Sequence, residues 1–149
     1  MEIREARRQD FEALEALVRA VFHDEYATTT EWVFAIEGIE GKLRSIREEF
    51  DAIGSRFLLA EEAPGGKLLG AVLVRIPRNQ DRVWVEDLFV LPDARRQGVA
   101  TELIQAACPP EAEVCCEVNR KNAVAQETFK ALGFEPVVET IVFRRRAPG

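Results

Sequence analysis

Arg95, Arg96 and Gly98 stand together in the run VWVEDLFVLPDARRQGVATELIQAA, residues 83–107, and their types suit the binding of an anion. Two guanidinium groups supply full positive charge, and a glycine lets the backbone approach an anion with no Cβ between them. Beyond Gly98 the apolar residues Val99, Leu103, Ile104 and Ala107 recur at helical spacing, so a helix is expected from about Gln97. A helix N-terminus carries roughly half a positive charge and up to four unpaired N–H donors. The amides of Arg96, Gln97, Gly98, Val99, Ala100 and Thr101 are therefore a candidate cradle for a pyrophosphate, with Arg95 beside it. The plain alternative is an ordinary strand–turn–helix junction whose arginines are merely solvated.

The cradle needs a strand to deliver it and a helix to carry it. Residues 83–91 are rich in β-branched and aromatic side chains, as a buried strand should be, and Pro92-Asp93 ends them. Before that strand, residues 2–6 read as a short opening strand. Asp10 is a suitable N-cap for a first helix whose apolar face is Phe11, Leu14, Val18, Val21 and Phe22. His23 falls just past that face and reads as structural. Trp32, Ile36, Ile39, Leu43, Ile46 and Phe50 form a second helical stripe, with Gly38 and Gly41 as weak points or a break. Residues 57–61 and 68–76 read as strands joined by the turn Ala63-Pro64-Gly65-Gly66, hence a hairpin. Pro109-Pro110 stops the helix after the cradle, residues 113–118 form another strand, and Asn122 caps a further helix that Gly133 closes. Residues 134–144 then offer a final strand or strand pair, interrupted near Pro136.

At 149 residues the chain suits one domain, 1–149, with a hydrophobic core. No apolar run approaches the roughly 20 residues of a membrane-spanning helix, and the first residues, MEIREARRQD, hold no apolar signal-peptide core. Cys108, Cys115 and Cys116 form no CxxC pair, and with His23 the single histidine a metal site is not expected. These features place the protein in the cytoplasm with reduced thiols. The net charge of −6, concentrated in residues 1–60, argues against sequence-independent nucleic-acid binding and would suit a cationic acceptor.

The residues of the cradle resemble a known family. Arg95-x-x-Gly98-x-Ala100 fits the Gln/Arg-x-x-Gly-x-Gly/Ala signature of the GNAT N-acetyltransferases, and the preceding residues 86–92, EDLFVLP, resemble that family's fourth strand and its exit. A second match runs from Asn122 through Ala125 and Phe129 to Gly133-Phe134, similar to the family's Asn-x-x-Ala/Ser-x-x-x-Tyr-x-x-x-Gly-Phe/Tyr. The resemblance implies an α/β fold: a mixed, mostly antiparallel sheet of 6–7 strands with about four helices, in the order β-α-α-β-β-β-α-β-α-β-β. It implies acetyl-CoA as cosubstrate, its pantetheine paired with the backbone of Leu88, Phe89 and Val90 in a gap between the fourth and fifth strands. Asn122 would contact the pantetheine or the helix start. Glu86 on the fourth strand and Glu117 on the fifth occupy positions where family members carry a base.

The chain departs from the family at Phe129, which stands where a tyrosine often protonates the leaving thiolate. Tyr26, the single tyrosine, and Cys115, in register with Glu117, are candidate substitutes. Strand alternation would send Asp87 to the face opposite Glu86. The expected activity is transfer of an acetyl group from acetyl-CoA to a primary amine of a small molecule or peptide, without metal, nucleic acid or membrane. The alternative is a non-catalytic acyl-CoA-binding or interaction module. The acceptor and the assembly state are not fixed by sequence; a homodimer is one expected assembly.

Overall fold

The computed structural model of the chain describes residues 1–26, 38–77 and 81–148; of the side chains at 22–26 and 38 nothing is described. Five strands form one sheet in the order β1-β2-β3-β4-β5. They are β1 (Glu2–Glu5), β2 (Ser55–Glu61), β3 (Leu68–Arg75), β4 (Arg82–Val90) and β5 (Glu113–Cys116). The first four pair antiparallel, while β5 runs parallel to β4. The helices are α1 (Phe11–Tyr26), α2 (Gly38–Glu49), α3 (Val99–Ala107) and α4 (Ala123–Ala131). Trp32 and Ile36, expected at the start of the second helical stripe, lie outside the described residues.

Both faces of the central strands are covered, which is why β2 and β3 read as continuous apolar runs rather than alternating ones. Phe57, Leu59, Ala71, Leu73 and Phe89 face α1 and α2, where Leu14, Leu17, Val18, Val21, Leu43 and Ile46 meet them. Leu58, Ala60, Val72, Val74, Val83 and Val85 face α3 and pack on Val99, Leu103 and Ala107. The β2–β3 hairpin turns as expected at residues 63–66, with the Gly66 amide donating to the Ala63 carbonyl at 2.7 Å. At the sheet's far edge Arg4 ties β1 to both Asp10, at 2.8 Å, and the buried Glu61.

Among the described residues the sheet holds five strands, where 6–7 were expected. Residues 134–144, expected to hold the final strand or strand pair, join no strand, and Val137, Val138, Ile141, Val142 and Phe143 are 74–91% exposed. β-Branched composition makes a strand former, but a strand exists only against a partner for its backbone.

Gly70 on β3 lets α3 approach the sheet. A Cβ there would meet the Phe89 carbonyl oxygen at 2.6 Å and lie 3.0 Å from Val99 and 3.2 Å from Leu103. Gly70→Ala should lower the unfolding free energy by about 1–3 kcal/mol, read from urea melts. An unchanged midpoint would mean that α3 is not held this close to β3.

Candidate active site

The geometry of the site begins with one extra residue in β4. Leu73 pairs with Asp87 and Val74 with Val85, so Glu86 is inserted as a bulge. The insertion flips the phase of the strand: Val83 and Val85 face α3 before it, and so do Leu88 and Val90 after it. Asp87 is consequently turned onto the same face as Leu73, and strand alternation does not separate it from Glu86. Asp87 meets Lys42 of α2 at 2.5 Å, both side chains about nine-tenths buried, and Glu86 meets Arg75 at 2.8 Å.

Burial pushes the Glu86 carboxyl above its ordinary range; Asp87 and Glu49 add to the shift, while Arg75 and Lys42 oppose it. Burial also raises Asp87, against the pull of Lys42. Glu117 lies just past β5, which ends at Cys116, rather than on the strand as expected, and its side chain is exposed.

β4 and β5 pair only from Arg82↔Glu113 to Val85↔Cys116, and β4 continues to Val90 alone on that side. A cleft of about 540 Å³ fills the opening. Glu86, Leu88, Phe89 and Val90 line one wall; Arg95, Arg96, Gly98, Val99, Ala100 and Thr101 line a second; Glu117, Asn122 and Phe129 line the third. The cleft thus gathers the residues expected to act as base or to hold the cofactor, except Gln97, whose side-chain amide turns back to donate to the Asp93 carbonyl at 3.2 Å.

The cradle is bent by two left-handed residues, Arg96 at φ 64° and Gly98 at φ 81°. Neither is helical, so α3 begins at Val99 rather than near Gln97, with Gly98 as its N-cap. The positive φ is what calls for glycine at position 98, since a Cβ there would meet nothing within 4 Å. The first turn of α3 leaves amides without partners in the helix. Asn122, 2% exposed, caps α4 by accepting from the Ala125 amide at 3.1 Å. Its Nδ2 is buried with no hydrogen-bond partner. A buried donor without a partner costs about 1–3 kcal/mol, and here it belongs to a side chain that lines the cleft.

Phe129 packs edge-on against Phe134, ring centres 5.1 Å apart. Of the candidate substitutes for a tyrosine, the Tyr26 side chain lies outside the described residues. The Cys115 thiol donates to Glu113 at 3.7 Å, and the cleft is lined instead by Cys116. Burial, helped by Cys115, pushes the Cys116 thiol up to about 11, so it stays protonated at neutral pH. The sequence pattern gave no sign of Cys116, because which cysteine faces the cleft depends on the β4–β5 register.

A mixed sheet whose fourth and fifth strands part over a helix N-terminus defines the class of fold, and the comparisons give the family. Residues 11–134 match the family model described as "Acetyltransferase (GNAT) family". The chain belongs to this family. It is 35% identical over 72 residues to aminoglycoside N(6')-acetyltransferase type 1 of Salmonella typhimurium, covering 43% of this chain and 48% of that protein. It is 30% identical over 108 residues to the mycothiol acetyltransferase of Mycobacterium marinum, covering 67% of this chain and 31% of that protein. The chain thus matches about half or less of the length of these relatives. Among solved structures it resembles an aminoglycoside 6'-N-acetyltransferase from Acinetobacter haemolyticus, with a TM-score of 0.71, 18% identity, and 99% and 100% of the two chains covered. It also resembles the PaiA N-acetyltransferase from Thermoplasma acidophilum in complex with coenzyme A, with a TM-score of 0.67, 19% identity, and 90% and 89% covered. At these identities the structures establish the fold.

The Lys42–Asp87 pair fastens α2 to β4 beside Glu86, which generates a test of the site's scaffold. A carboxyl raised in the folded state stabilises the fold below its unfolded pKa, and that contribution is lost as pH rises through the folded pKa. Removing Lys42 takes away the cation that opposes the rise. Lys42→Met should therefore cost up to about 3–5 kcal/mol at neutral pH, and less as the buffer is acidified and Asp87 protonates. Urea melts at several pH values check this; a pH-independent difference would mean that Asp87 does not carry the effect.

Proposed function

We propose that this protein acts as a single domain, 1–149, that transfers the acetyl group of acetyl-CoA directly to a primary amine of a small molecule or peptide. The observation that carries the reading is the cleft itself: an unpaired strand edge, a helix N-terminus and the orphaned Asn122 Nδ2 converge on one opening. In this reading the backbone of Leu88, Phe89 and Val90 pairs with the pantetheine amides, as a further strand would. The amides of residues 96–101 hold the pyrophosphate, with Arg95 and Arg96 adding charge. Asn122 donates to the pantetheine, and Phe129 packs beside it. The matched relatives named as acetyltransferases support the reaction type. Among the described residues no helix is long and apolar enough to cross a membrane; work in the cytoplasm is part of the same proposal.

Glu86 is the preferred base. It sits at the bulge, lines the cleft and has its carboxyl raised, which makes it a better proton acceptor near neutral pH than an ordinary carboxylate. It takes the ammonium proton directly or through water, leaving a free amine against the thioester. Glu117, across the cleft, is the second candidate. The thioester supplies the acetyl group and a thiolate whose reference pKa of about 8.5 makes it a tolerable leaving group. Phe129 therefore costs the reaction only the help of a general acid, typically ~10²–10⁴-fold. The acceptor class is a small cationic amine, supported by the aminoglycoside acetyltransferases among the relatives and by the acidic balance of residues 1–60.

The second reading, a non-catalytic acyl-CoA-binding module, rests on Phe129. Steady thiol release from acetyl-CoA in the presence of an aminoglycoside or another primary amine separates the two. In either reading Gly98→Glu, which places a side chain and a negative charge in the cradle, should largely abolish acetyl-CoA binding by calorimetry while the fold survives; unchanged affinity would remove the pyrophosphate from this loop.

The base assignment has its own signature. Glu86 must be deprotonated to act, so kcat/KM should fall as pH drops through its raised pKa. Glu86→Gln should remove that inflection and lower turnover by about 10²-fold or more, with acetyl-CoA affinity little changed. A Gln variant with full activity and the same pH profile would move the role elsewhere.

A further inference from the structure

Val85 and Cys116 are the last pair joined before β4 and β5 part, so Cys116 stands at the apex of the opening, one rung from Glu86. Paired residues of neighbouring strands share a face, and Val85 faces α3. Cys116 and Phe129 both pack against the cluster on that face, together with Leu88 and Val90, and both line the cleft. Cys115 alternates to the other face, where its thiol donates to Glu113 at 3.7 Å. The half-buried Cys116 thiol donates no hydrogen bond among the described residues. That this opening takes a ligand is supported by a separate group, the unpartnered Nδ2 of Asn122, a residue 2% exposed that lines the same cleft.

We propose that Cys116 is the acid of the transfer, giving its thiol proton to the CoA sulfur as the thioester C–S bond breaks. The proposal rests on the acetyl-transfer reading above. The amine, freed of its ammonium proton by Glu86, forms the new C–N bond with its lone pair. The C–S electron pair leaves on sulfur, which takes the Cys116 proton. The proton then shed by the new amide nitrogen returns to Cys116 through water, and Glu86 releases its own to solvent. A general acid must enter the step protonated, and burial, which holds the Cys116 thiol at about 11, keeps it so. The same desolvation acts on a sulfur arriving beside it, which narrows the gap between the two thiols. A thiol on β5 thus serves the face on which Phe129 has no proton to give.

Steady thiol release from acetyl-CoA with an accepted primary amine is the readout. Cys116→Ala should lower kcat about tenfold or more, with acetyl-CoA affinity by calorimetry little changed. Adding Phe129→Tyr, which brings a phenol to the same face, should then restore turnover. Its gain should be about tenfold or more above the gain from Phe129→Tyr with Cys116 intact. A cysteine that only fills space would not be repaired by a hydroxyl on α4. Should the alanine variant fail to fold, Cys116→Val, which fills the site without a proton, takes its place in the same cycle. Wild-type kcat in the variant without Cys116, or a loss that Phe129→Tyr leaves unrepaired, overturns the assignment while acetyl transfer stands. A wild-type protein that binds acetyl-CoA but releases no thiol with any amine ends the acetyl-transfer reading, and this proposal with it.

Discussion

The parallel pairing of β4 with β5 stops after Val85, and the rest of the site depends on where it stops. A backbone edge in a covered sheet needs partners, so residues 86–90 are left with an obligation that no strand among the described residues meets. The cause is visible on β4. The bulge at Glu86 adds local twist and bends the strand away from a neighbour only four residues long. One inserted residue therefore opens the cleft, turns Glu86 toward it, and brings Asp87 round to the buried cation on α2. Lys42 in turn holds α2 against β4 beside Glu86, whose carboxyl burial raises and Lys42 itself lowers.

The two ends of the cleft are electrostatically opposite. The α3 end offers backbone donors, Arg95 and Arg96, whereas the bulge end gathers Glu86, Asp87 and Glu49 around Lys42 and Arg75. A ligand with an anionic head is oriented by such a field before any close contact forms.

What could be read from the sequence was local. The cradle follows from Gly98 and the helix behind it, and the α4 cap from Asn122, because capping and left-handed turns are set within a few residues. The hairpin at residues 63–66 was legible for the same reason. The bulge was not, since register is a property of two strands and β4 alone alternates without a visible fault. That omission misplaced Asp87 and hid Cys116 behind Cys115. Residues 134–144 were legible as strand formers, but whether they find a partner was not, because propensity says nothing about which edge, if any, is open to them.

The topology also has a temporal side. β2, β3 and β4 are neighbours in the chain as well as in the sheet, so their ladders close small loops. The β4–β5 contact must wait for α3 to cross over the sheet and bring distant residues together. Contacts that close long loops form late, and a pairing this short adds little to hold itself. The mouth of the cleft is thus closed by a short pairing that forms after the β2–β3–β4 ladders and opens more readily than they do, a less rigid seam in a tightly covered fold.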